Sequence, residues 1–327
     1  MKRIAVVGAG SWSRDMHLPA LRRLKDAGRA DYAAVCDLDP AKAEPYAGAL
    51  GARAFTDLDA MLAAVRPDGV ALLVSEGATP ALIEMCIRRG LPFITEKPPA
   101  PDLATHRRLL KKVGALPHIV AFNRRHAPYV RQVLEWMREV PLQGVFCDFS
   151  RHNRRDADFG ATHVHGIDAV QCLARGEFAE ARLDVTPVDG GANVYVGGWT
   201  ASGVRLDLRI TPVTGSAREH YTVISADRSV VIAYPQPPMI DLPGFVERHE
   251  RNRLVERKSA ADFGLAPDDL PGLGGILREH ELLVEMLEGS ATAWSTLATS
   301  LPTQIIRDAL AGMAAAGTRT AREIAVK

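Results

Sequence analysis

Cysteine is scarce in this sequence, and its spacing does not match that of a metal site. The chain has 4 cysteines in 327 residues, and they form no CxxC pair. This argues against both a disulfide framework and a structural zinc site. We therefore expect reduced thiols in a cytoplasmic protein.

An excess of charge of one sign is also missing. Lys and Arg total 40 against 39 Asp and Glu, which gives a formal net charge of +1. A near-neutral chain offers no electrostatic reason to bind nucleic acid or an anionic membrane. We expect neither partner.

Long apolar runs are absent near the start of the sequence. The first apolar run is Ile4 to Val7, directly after Met1-Lys2-Arg3. It is too short for a signal peptide or a membrane span, so we expect neither secretion nor membrane insertion. The hydrophobic fraction of 47% and the charged fraction of 24% are those of a globular protein with a substantial core.

The first part of the chain alternates strand and helix signals. Short apolar runs at 4–7, 32–36, 69–74, 91–95 and 118–122 are typical of strands buried on both faces, and amphipathic helical patterns separate them. This alternation predicts a doubly wound parallel sheet with helices on both faces. We assign it to a Rossmann domain at 1–122.

The second part of the chain has a different pattern of apolar and polar residues. Runs between 144 and 234 alternate apolar and polar residues, which predicts antiparallel strands with one exposed face. Helical patterns cover about 128–138, 159–174, 276–288 and 302–316, and the Pro- and Gly-rich stretch 235–275 predicts a long loop or lid. We assign 123–327 to an α+β substrate and oligomerisation domain, and expect the last helices to pack back on the first domain.

A glycine-rich turn follows the first strand. Gly8-Ala9-Gly10-Ser11-Trp12-Ser13 lies between that strand and the first helix, the context in which glycines let the backbone approach a pyrophosphate. Asp37 ends the second strand, where a carboxylate accepts ribose hydroxyls and repels a 2′-phosphate. NAD is therefore favoured, with NADP as the alternative. The competing interpretation is that the glycines only make a turn and Asp37 only caps a helix.

Glu96-Lys97-Pro98 follows the strand at 91–95. Ligands of open parallel sheets bind beyond this end of the strands, so Lys97 would lie near the nicotinamide. Burial beside a positive ring would make a lysine a useful base for a hydroxyl proton. The alternative is an ordinary surface lysine before a turn.

His165 and Asp168 lie three residues apart in the helical pattern at 159–174. They would share a helix face, so Asp168 could orient the imidazole of His165 toward a substrate hydroxyl. The alternative is a buried histidine satisfied by a neighbouring carboxylate. This stretch offers too few ligands for a metal, and we predict none.

Two basic clusters stand at expected domain junctions, 123–126 and 151–155. Arg125 and Arg151 are candidates for recognising a carboxylate, a phosphate or sugar hydroxyls. The alternative is solvated charge or structural salt bridges.

Taken together, these motifs resemble the glucose–fructose oxidoreductase, inositol dehydrogenase and MocA family. The resemblance is carried by Gly8-Ala9-Gly10, His17-Leu18-Pro19-Ala20-Leu21, Val35-Cys36-Asp37, Glu96-Lys97-Pro98-Pro99-Ala100, Asn123-Arg124-Arg125 with Pro128, and His165-Gly166-Ile167-Asp168.

The resemblance implies a Rossmann domain, a C-terminal domain with a large open sheet, and homodimers or homotetramers packed through that sheet. It also implies NAD(P)-dependent oxidation or reduction of sugars, cyclitols or related polyols. Lys97 would be the lysine near substrate and nicotinamide, and His165 the histidine of the catalytic helix.

Two departures from the family pattern stand out. Val74-Ser75 occupies the place of a Thr-Pro pair, and Ala161 replaces an aspartate four residues before His165. The leading hypothesis is a dehydrogenase or reductase that acts on CH–OH groups. The alternatives are a non-catalytic nucleotide-binding regulator and a protein that keeps its cofactor bound and performs internal redox chemistry.

Overall fold

The computed structural model describes residues 1–154, 159–235 and 242–326, and at Gly160 and Ala161 it describes the backbone alone. The chain forms two compact units. Unit 1 comprises residues 1–123 and 275–301, and unit 2 comprises residues 124–274 and 302–327.

The α-helices of the described residues are α1 (Leu18–Asp26), α2 (Pro40–Leu50), α3 (Leu58–Val65), α4 (Thr79–Arg89), α5 (Leu103–Val113), α6 (Pro128–Trp136), α7 (Val164–Ala174), α8 (Leu270–Leu273), α9 (Ile276–Glu288) and α10 (Leu297–Ala314). π-Helical turns at Ser13–His17 and Phe159–His163 directly precede α1 and α7. π-turns of this kind occur often at functional sites.

Unit 1 is built on a six-stranded parallel sheet. Its strands are β1 (Lys2–Val7), β2 (Ala30–Cys36), β3 (Arg53–Phe55), β4 (Gly69–Leu72), β5 (Phe93–Thr95) and β6 (His118–Val120). They lie in the order β3-β2-β1-β4-β5-β6, and all neighbours are parallel. The chain order reverses between β1 and β4, which defines the switch point where such sheets bind ligands.

Local signals place the helices of this unit. The side chains of Asp39, Asp57 and Asp102 cap α2, α3 and α5 by accepting a backbone N–H of the first turn at 2.7 to 3.0 Å. Gly51 and Gly90 end α2 and α4 in the left-handed conformation. Residues of α9, among them Leu282 and Leu283, complete the core beneath β1 and β5.

One strand of unit 1 was not predicted. The sequence interpretation made 69–74 the third strand, whereas β3 (Arg53–Phe55) precedes it and β4 stops at Leu72. β3 is a short edge strand with two exposed residues, so it lacks the fully apolar run that marks a buried strand.

Unit 2 is built on a nine-stranded, mainly antiparallel sheet. Its strands are β7 (Gly144–His152), β8 (Phe178–Val188), β9 (Gly191–Thr200), β10 (Arg205–Thr214), β11 (Arg218–Ile224), β12 (Arg228–Ala233), β13 (Phe245–Glu250), β14 (Arg253–Lys258) and β15 (Thr320–Ala325). The order is β14-β13-β12-β11-β7-β10-β9-β8-β15, and only β7 with β10 is parallel among these pairs. The predicted fold class, a Rossmann sheet plus a large antiparallel sheet, is confirmed.

Helix α7 packs closely on this sheet. A Cβ added to Gly166 would lie 3.3 Å from Phe149 and 3.4 Å from Leu208, so glycine permits the close approach. The buried residues of α7 include His165 and Asp168.

The prediction of a long loop at 235–275 is wrong for much of this stretch. The stretch contains β13, β14 and α8, while residues 236–241 lie outside the described part of the chain. Glu247 pairs with Arg257 at 2.7 Å across the hairpin, and Arg248 pairs with Glu256 at 3.2 Å. Such cross-strand charge pairs stabilise strands without the apolar alternation that predicts them.

The end of the chain also differs from expectation. Helix α10 begins at Leu297 rather than near Pro302, because Thr296 and Thr299 each accept the other's backbone N–H at 3.3 and 2.9 Å. Strand β15 was not predicted. None of the helices in the described residues combines the length and apolar character needed to cross a membrane.

Candidate functional site

The turn after β1 requires glycine at position 8. Gly8 has φ +99°, and a Cβ there would lie 2.3 Å from the Leu73 carbonyl oxygen. Gly10 is exposed, and a Cβ on it would meet no described atom within 4 Å. Ser11 and Trp12, both exposed, begin the first helix immediately afterwards. The open backbone and the helix N-terminus together form a site suited to a diphosphate.

Ser13, the third small position of the motif, faces inward. It is 2% exposed, and its hydroxyl donates to the Gly8 carbonyl oxygen and lies within hydrogen-bond distance of the Tyr46 hydroxyl, each at 3.0 Å. Ser13 thus ties the start of the helix to the glycine turn from beneath.

Asp37 lies beside this turn. Its Oδ2 accepts the Ala9 N–H at 2.8 Å, and its Oδ1 accepts the Asp39 N–H at 3.0 Å. Each carboxylate oxygen keeps a further lone pair, so the fixed side chain can accept hydroxyl groups from a ribose.

Val74 and Ser75 follow β4, the neighbour of β1. Val74 contacts the glycine turn, since a Cβ on Gly8 would lie 2.8 Å from its Cγ1. The carbonyl oxygen of exposed Ser75 accepts the Thr79 hydroxyl at 3.1 Å at the start of α4. Both residues lie at the same edge of the sheet as Gly8 and Asp37.

Glu96 and Lys97 directly follow β5. Glu96 Oε1 lies 2.7 Å from His17 Nε2 and accepts from Trp12 Nε1 at 3.1 Å, while Oε2 accepts the Lys97 backbone N–H at 3.1 Å. Burial is the largest influence on the pKa of Glu96 and raises it, but the bonds from His17 and Trp12 and the charge of Lys97 outweigh burial. The pKa is therefore lowered, and Glu96 is ionised.

These features fit a dinucleotide. The predicted residues of unit 1, Gly8, Gly10, Ser11, Trp12, Ser13, Asp37, Val74, Ser75, Glu96 and Lys97, lie at the carboxyl ends of β1, β2, β4 and β5. The open surface over Gly10 would receive the diphosphate, and Asp37 would receive the ribose. Lys97 lies two strands from β1, toward the end where a nicotinamide would lie.

Asp168 pairs with Arg125 in unit 2. Arg125 Nε and Nη2 donate to the two carboxylate oxygens of Asp168 at 2.8 and 2.5 Å, and both side chains are buried. Burial raises the pKa of Asp168 more than Arg125 lowers it. Both carboxylate oxygens of Asp168 thus accept from a guanidinium, and the expected orientation of His165 by Asp168 stays a prediction. His165 itself is 5% exposed at the second position of α7.

Arg151 belongs to a second buried ion-pair group. Glu219 accepts from Arg124 through both oxygens at 3.0 Å each, from Arg151 Nη2 at 2.8 Å, and from the Tyr221 hydroxyl at 2.7 Å. Burial raises the pKa of Glu219, but the two guanidinium charges outweigh it and lower that pKa to about 2. Arg125 and Arg151 are thus parts of buried ion pairs, not solvated charge; Arg155 lies outside the described residues.

The sequence interpretation missed the acceptor Glu219 in unit 2 and the contact between the buried His17 and His280 in unit 1. Glu219 is 95 residues from Arg124, and His280 is 263 residues from His17, so no local pattern joins them. The one available signal was His17 within the run that carried the family resemblance.

His17, Glu279 and His280 form a group whose ligand atoms lie within 4.8 Å of one another. His17 Nδ1 and His280 Nε2 are 2.9 Å apart, a hydrogen-bond distance and shorter than the ~3.3 Å between two nitrogens on a tetrahedral zinc ion. The geometry favours a hydrogen-bonded group over a coordination sphere.

A glycine turn at the switch point of a parallel sheet is typical of a dinucleotide-binding fold, and unit 1 has this arrangement. Residues 2–123 match the model of the Gfo/Idh/MocA oxidoreductase family that describes its NAD-binding Rossmann fold. These residues are therefore similar to the family that the motifs resemble, and the predicted resemblance is confirmed. The match to an NAD-binding fold also confirms the prediction of NAD as the cofactor.

Two curated relatives are dehydrogenases. The chain is 34% identical over 130 residues to inositol 2-dehydrogenase of Corynebacterium glutamicum, covering 38% of each chain. It is 30% identical over 145 residues to D-apiose dehydrogenase of Paraburkholderia graminis, covering 43% of this chain and 38% of the relative. The matches therefore span about two fifths of the relatives' length.

The fold of the whole chain has relatives among solved structures. An oxidoreductase from Agrobacterium radiobacter, crystallised with NAD⁺, L-tartaric acid and magnesium, superposes with a TM-score of 0.81. The superposition covers 99% of this chain and 98% of that chain at 17% sequence identity. At this identity the likeness establishes the fold.

Proposed function

We propose that this protein is an NAD-dependent oxidoreductase that acts on a hydroxyl or keto carbon of a sugar, cyclitol or related polyol. The observation that carries the proposal is the position of Lys97 after β5, at the sheet edge that also holds the Gly8 turn and Asp37. The family of residues 2–123 and the dehydrogenase relatives support it.

NAD is the proposed cofactor in preference to NADP. Gly10, Ser11 and Trp12 would contact the diphosphate and nicotinamide end, and Asp37 would bind the adenosine ribose. Ser13 would act by holding the turn, because its hydroxyl is bonded to Gly8 and Tyr46. Val74 and Ser75 would line the adjoining strand end.

Lys97 would handle the proton of the reaction. Oxidation of a carbinol removes a hydride from carbon and a proton from oxygen. A bound nicotinamide would be the hydride acceptor, and Lys97 Nζ, when unprotonated, would accept the hydroxyl proton. Glu96 holds the Lys97 backbone, so the side chain starts from a fixed point.

Unit 2 would supply substrate contacts. We propose His165 as a second proton-handling residue, at the start of a helix fixed against the sheet. We propose Arg125, Asp168 and Arg151 as substrate-binding residues; Arg125 and Asp168 form one buried ion pair, and Arg151 pairs with Glu219. We also keep the division at 122/123 as a proposal for the two domains.

The test compares Lys97→Ala with wild type. NAD⁺ binding is measured by calorimetry, and turnover by absorbance at 340 nm with myo-inositol, D-apiose and a wider polyol panel. We expect NAD⁺ affinity to change less than threefold and kcat to fall about 10²- to 10⁴-fold. Lys112→Ala, an exposed lysine of α5, is the control. Wild-type kcat in Lys97→Ala contradicts the role of Lys97.

Ala161 favours a second function, a nucleotide-binding regulator without turnover, because the family's aspartate is missing there. Its side chain lies outside the described part of the structure. The same experiment separates the two functions: a regulator binds NAD⁺ but leaves the whole panel unreacted. Internal redox with a retained cofactor would convert substrate without net NADH, which product analysis detects.

We further propose a homo-oligomer joined through the open sheet of unit 2, and a cytoplasmic location. Phe146, Tyr195 and Trp199 are 37%, 43% and 44% exposed on strands β7 and β9, which flank β10. Exposed aromatic side chains grouped in this way are typical of protein interfaces. The four cysteines are free thiols, which suits a reducing compartment.

A further inference from the structure

A buried chain of two imidazoles and a carboxylate leads to Lys97 in unit 1. His17 ends the π-helical turn before α1, His280 lies in α9, and both side chains are fully buried. His17 Nδ1 lies 2.9 Å from His280 Nε2, and His17 Nε2 lies 2.7 Å from Glu96 Oε1. Three elements far apart in sequence thus supply one continuous hydrogen-bonded chain.

The acceptor at one end sets the direction of these bonds. Glu96 is ionised, so its Oε1 accepts the N–H on His17 Nε2. His280 Nδ1 has no acceptor among the described residues, so the His280 proton is placed on Nε2, and this N–H donates to His17 Nδ1. Each histidine is therefore fixed as the Nε2–H tautomer.

The far end of the chain agrees with this order. Burial holds the pKa of His280 well below its ordinary value, so His280 is neutral. His280 Nδ1 has no hydrogen-bond partner among the described residues. An unprotonated Nδ1 has a smaller free-energy penalty there than a protonated one, because an N–H would be a buried donor without an acceptor.

Glu96 passes the constraint to Lys97. Oε1 also accepts from Trp12 Nε1 at 3.1 Å, and Oε2 accepts the Lys97 backbone N–H at 3.1 Å. The Glu96 backbone N–H donates to the Leu72 carbonyl oxygen of β4 at 3.0 Å. Fixing the carboxylate therefore fixes the peptide from which the Lys97 side chain extends.

We infer that His280 and His17 are positioning residues for Lys97. His280 donates to His17, His17 donates to Glu96, and Glu96 holds the Lys97 peptide in place. This inference rests on the proposed function, in which Lys97 receives the hydroxyl proton. Both histidines are buried and act through Glu96.

Two substitutions of His280 separate the effect of losing the hydrogen-bond donor from the effect of changing the side-chain volume. His280→Gln keeps an amide N–H near the place of Nε2, whereas His280→Leu removes the donor and keeps an apolar volume. His106→Leu removes another fully buried histidine of unit 1, whose Nε2 lies 2.7 Å from the Leu297 carbonyl oxygen. It controls for the loss of a buried imidazole as such.

The kinetic readout is kcat and the KM for NAD⁺ with the best substrate of the polyol panel. We expect His280→Leu to lower kcat about tenfold or more, since a small misplacement of a catalytic group is costly, with KM for NAD⁺ changed less than threefold. His280→Gln should recover kcat to within about threefold of wild type. His106→Leu should lower the melting temperature but not kcat.

A second readout needs no turnover. Long-range ¹H–¹⁵N spectra of ¹⁵N-histidine-labelled wild type should show His17 and His280 as Nε2–H tautomers, and an Nδ1–H tautomer at either would overturn the inference. If wild type is active and His280→Leu and His280→Gln have equal kcat, the positioning role of the histidines is overturned, but the proposed function is not. A wild type that turns over no substrate would overturn the proposed function, and this role of the histidines with it.

Discussion

Asp37 is held by the backbone on both sides. Its oxygens accept the N–H groups of Ala9 and Asp39 at 2.8 and 3.0 Å, so the carboxylate is fixed before any nucleotide binds. A fixed negative charge attracts ribose hydroxyls as hydrogen-bond donors and repels a 2′-phosphate.

Replacing this carboxylate should change the choice of nucleotide. We expect Asp37→Ser to weaken NAD⁺ binding about tenfold, the value of a hydrogen bond to a charged group, and to raise NADP⁺ affinity relative to NAD⁺. Calorimetry with both nucleotides measures this, with Asp59→Ser, an exposed aspartate of α3, as control. An unchanged affinity ratio would show that Asp37 serves only the turn.

The ionisation of Glu219 makes the free energy of unfolding depend on pH. Its folded pKa of about 2 lies below the ordinary 4.5, so its stabilising contribution is present above about pH 5 and is lost as the pH falls toward 2. The difference corresponds to about 3 kcal/mol.

Glu219→Gln should flatten this dependence. We expect urea-unfolding curves of wild type to lose about 3 kcal/mol more than the variant between about pH 5 and pH 2. At pH 7 the variant should be less stable by about 3 to 5 kcal/mol, because Arg124 and Arg151 stay buried without their acceptor. Glu135→Gln, an exposed carboxylate of α6, is the control, and parallel curves for wild type and Glu219→Gln would refute the argument.

At the scale of the element, the turn from β1 into the first helix uses its two glycines for different reasons. Gly8 has positive φ and no room for a Cβ, whereas Gly10 has open space and an ordinary φ. The first glycine serves the fold, and we propose that the second leaves room for a ligand.

Alanine substitutions should separate these two roles. We expect Gly8→Ala to lower the free energy of unfolding by about 2 to 4 kcal/mol through strain and the clash with Leu73. Gly10→Ala should keep the wild-type melting temperature and weaken NAD⁺ binding. Calorimetry and thermal unfolding of both variants test this, and a destabilised Gly10→Ala would contradict it.

Elements with local signals were predictable, and elements stabilised across strands were not. Capped helices such as α2 carry a local signal in Asp39 and Pro40, because the cap is made within four residues. β13 and β14 were missed because their Glu247–Arg257 and Arg248–Glu256 pairs are visible only after the strands are aligned. An interpretation based on apolar alternation assigns such charged strands to a loop.

At the scale of the whole molecule, the open sheet of unit 2 presents aromatic residues among ion pairs. The Arg205 guanidinium lies 5.1 Å from the Trp199 ring centre and pairs with Asp207, while Arg209 pairs with Asp148. A face that carries both anchors and paired charges suits a self-complementary interface.

Trp199→Glu should disrupt the proposed oligomer, because it places charges on the interface anchor of each subunit. Sedimentation analysis should show wild type at twice or four times the mass of one chain and the variant at the mass of one chain. Leu254→Glu on β14, 53% exposed in wild type, is the matched control and should leave the mass unchanged. A monomeric wild type would end the proposal.

The sequence by itself determined the alternating strands and helices of residues 1–122, the glycine turn and the position of Asp37 and Lys97 at strand ends. These features depend on interactions within a few residues, so their signals are local. The tertiary structure decided the partners of the buried charges: Asp168 pairs with Arg125, Glu219 joins Arg124 to Arg151, and His280 reaches His17. A buried charge or imidazole must find a partner wherever the fold brings one, and that partner's place in the sequence is set by packing alone.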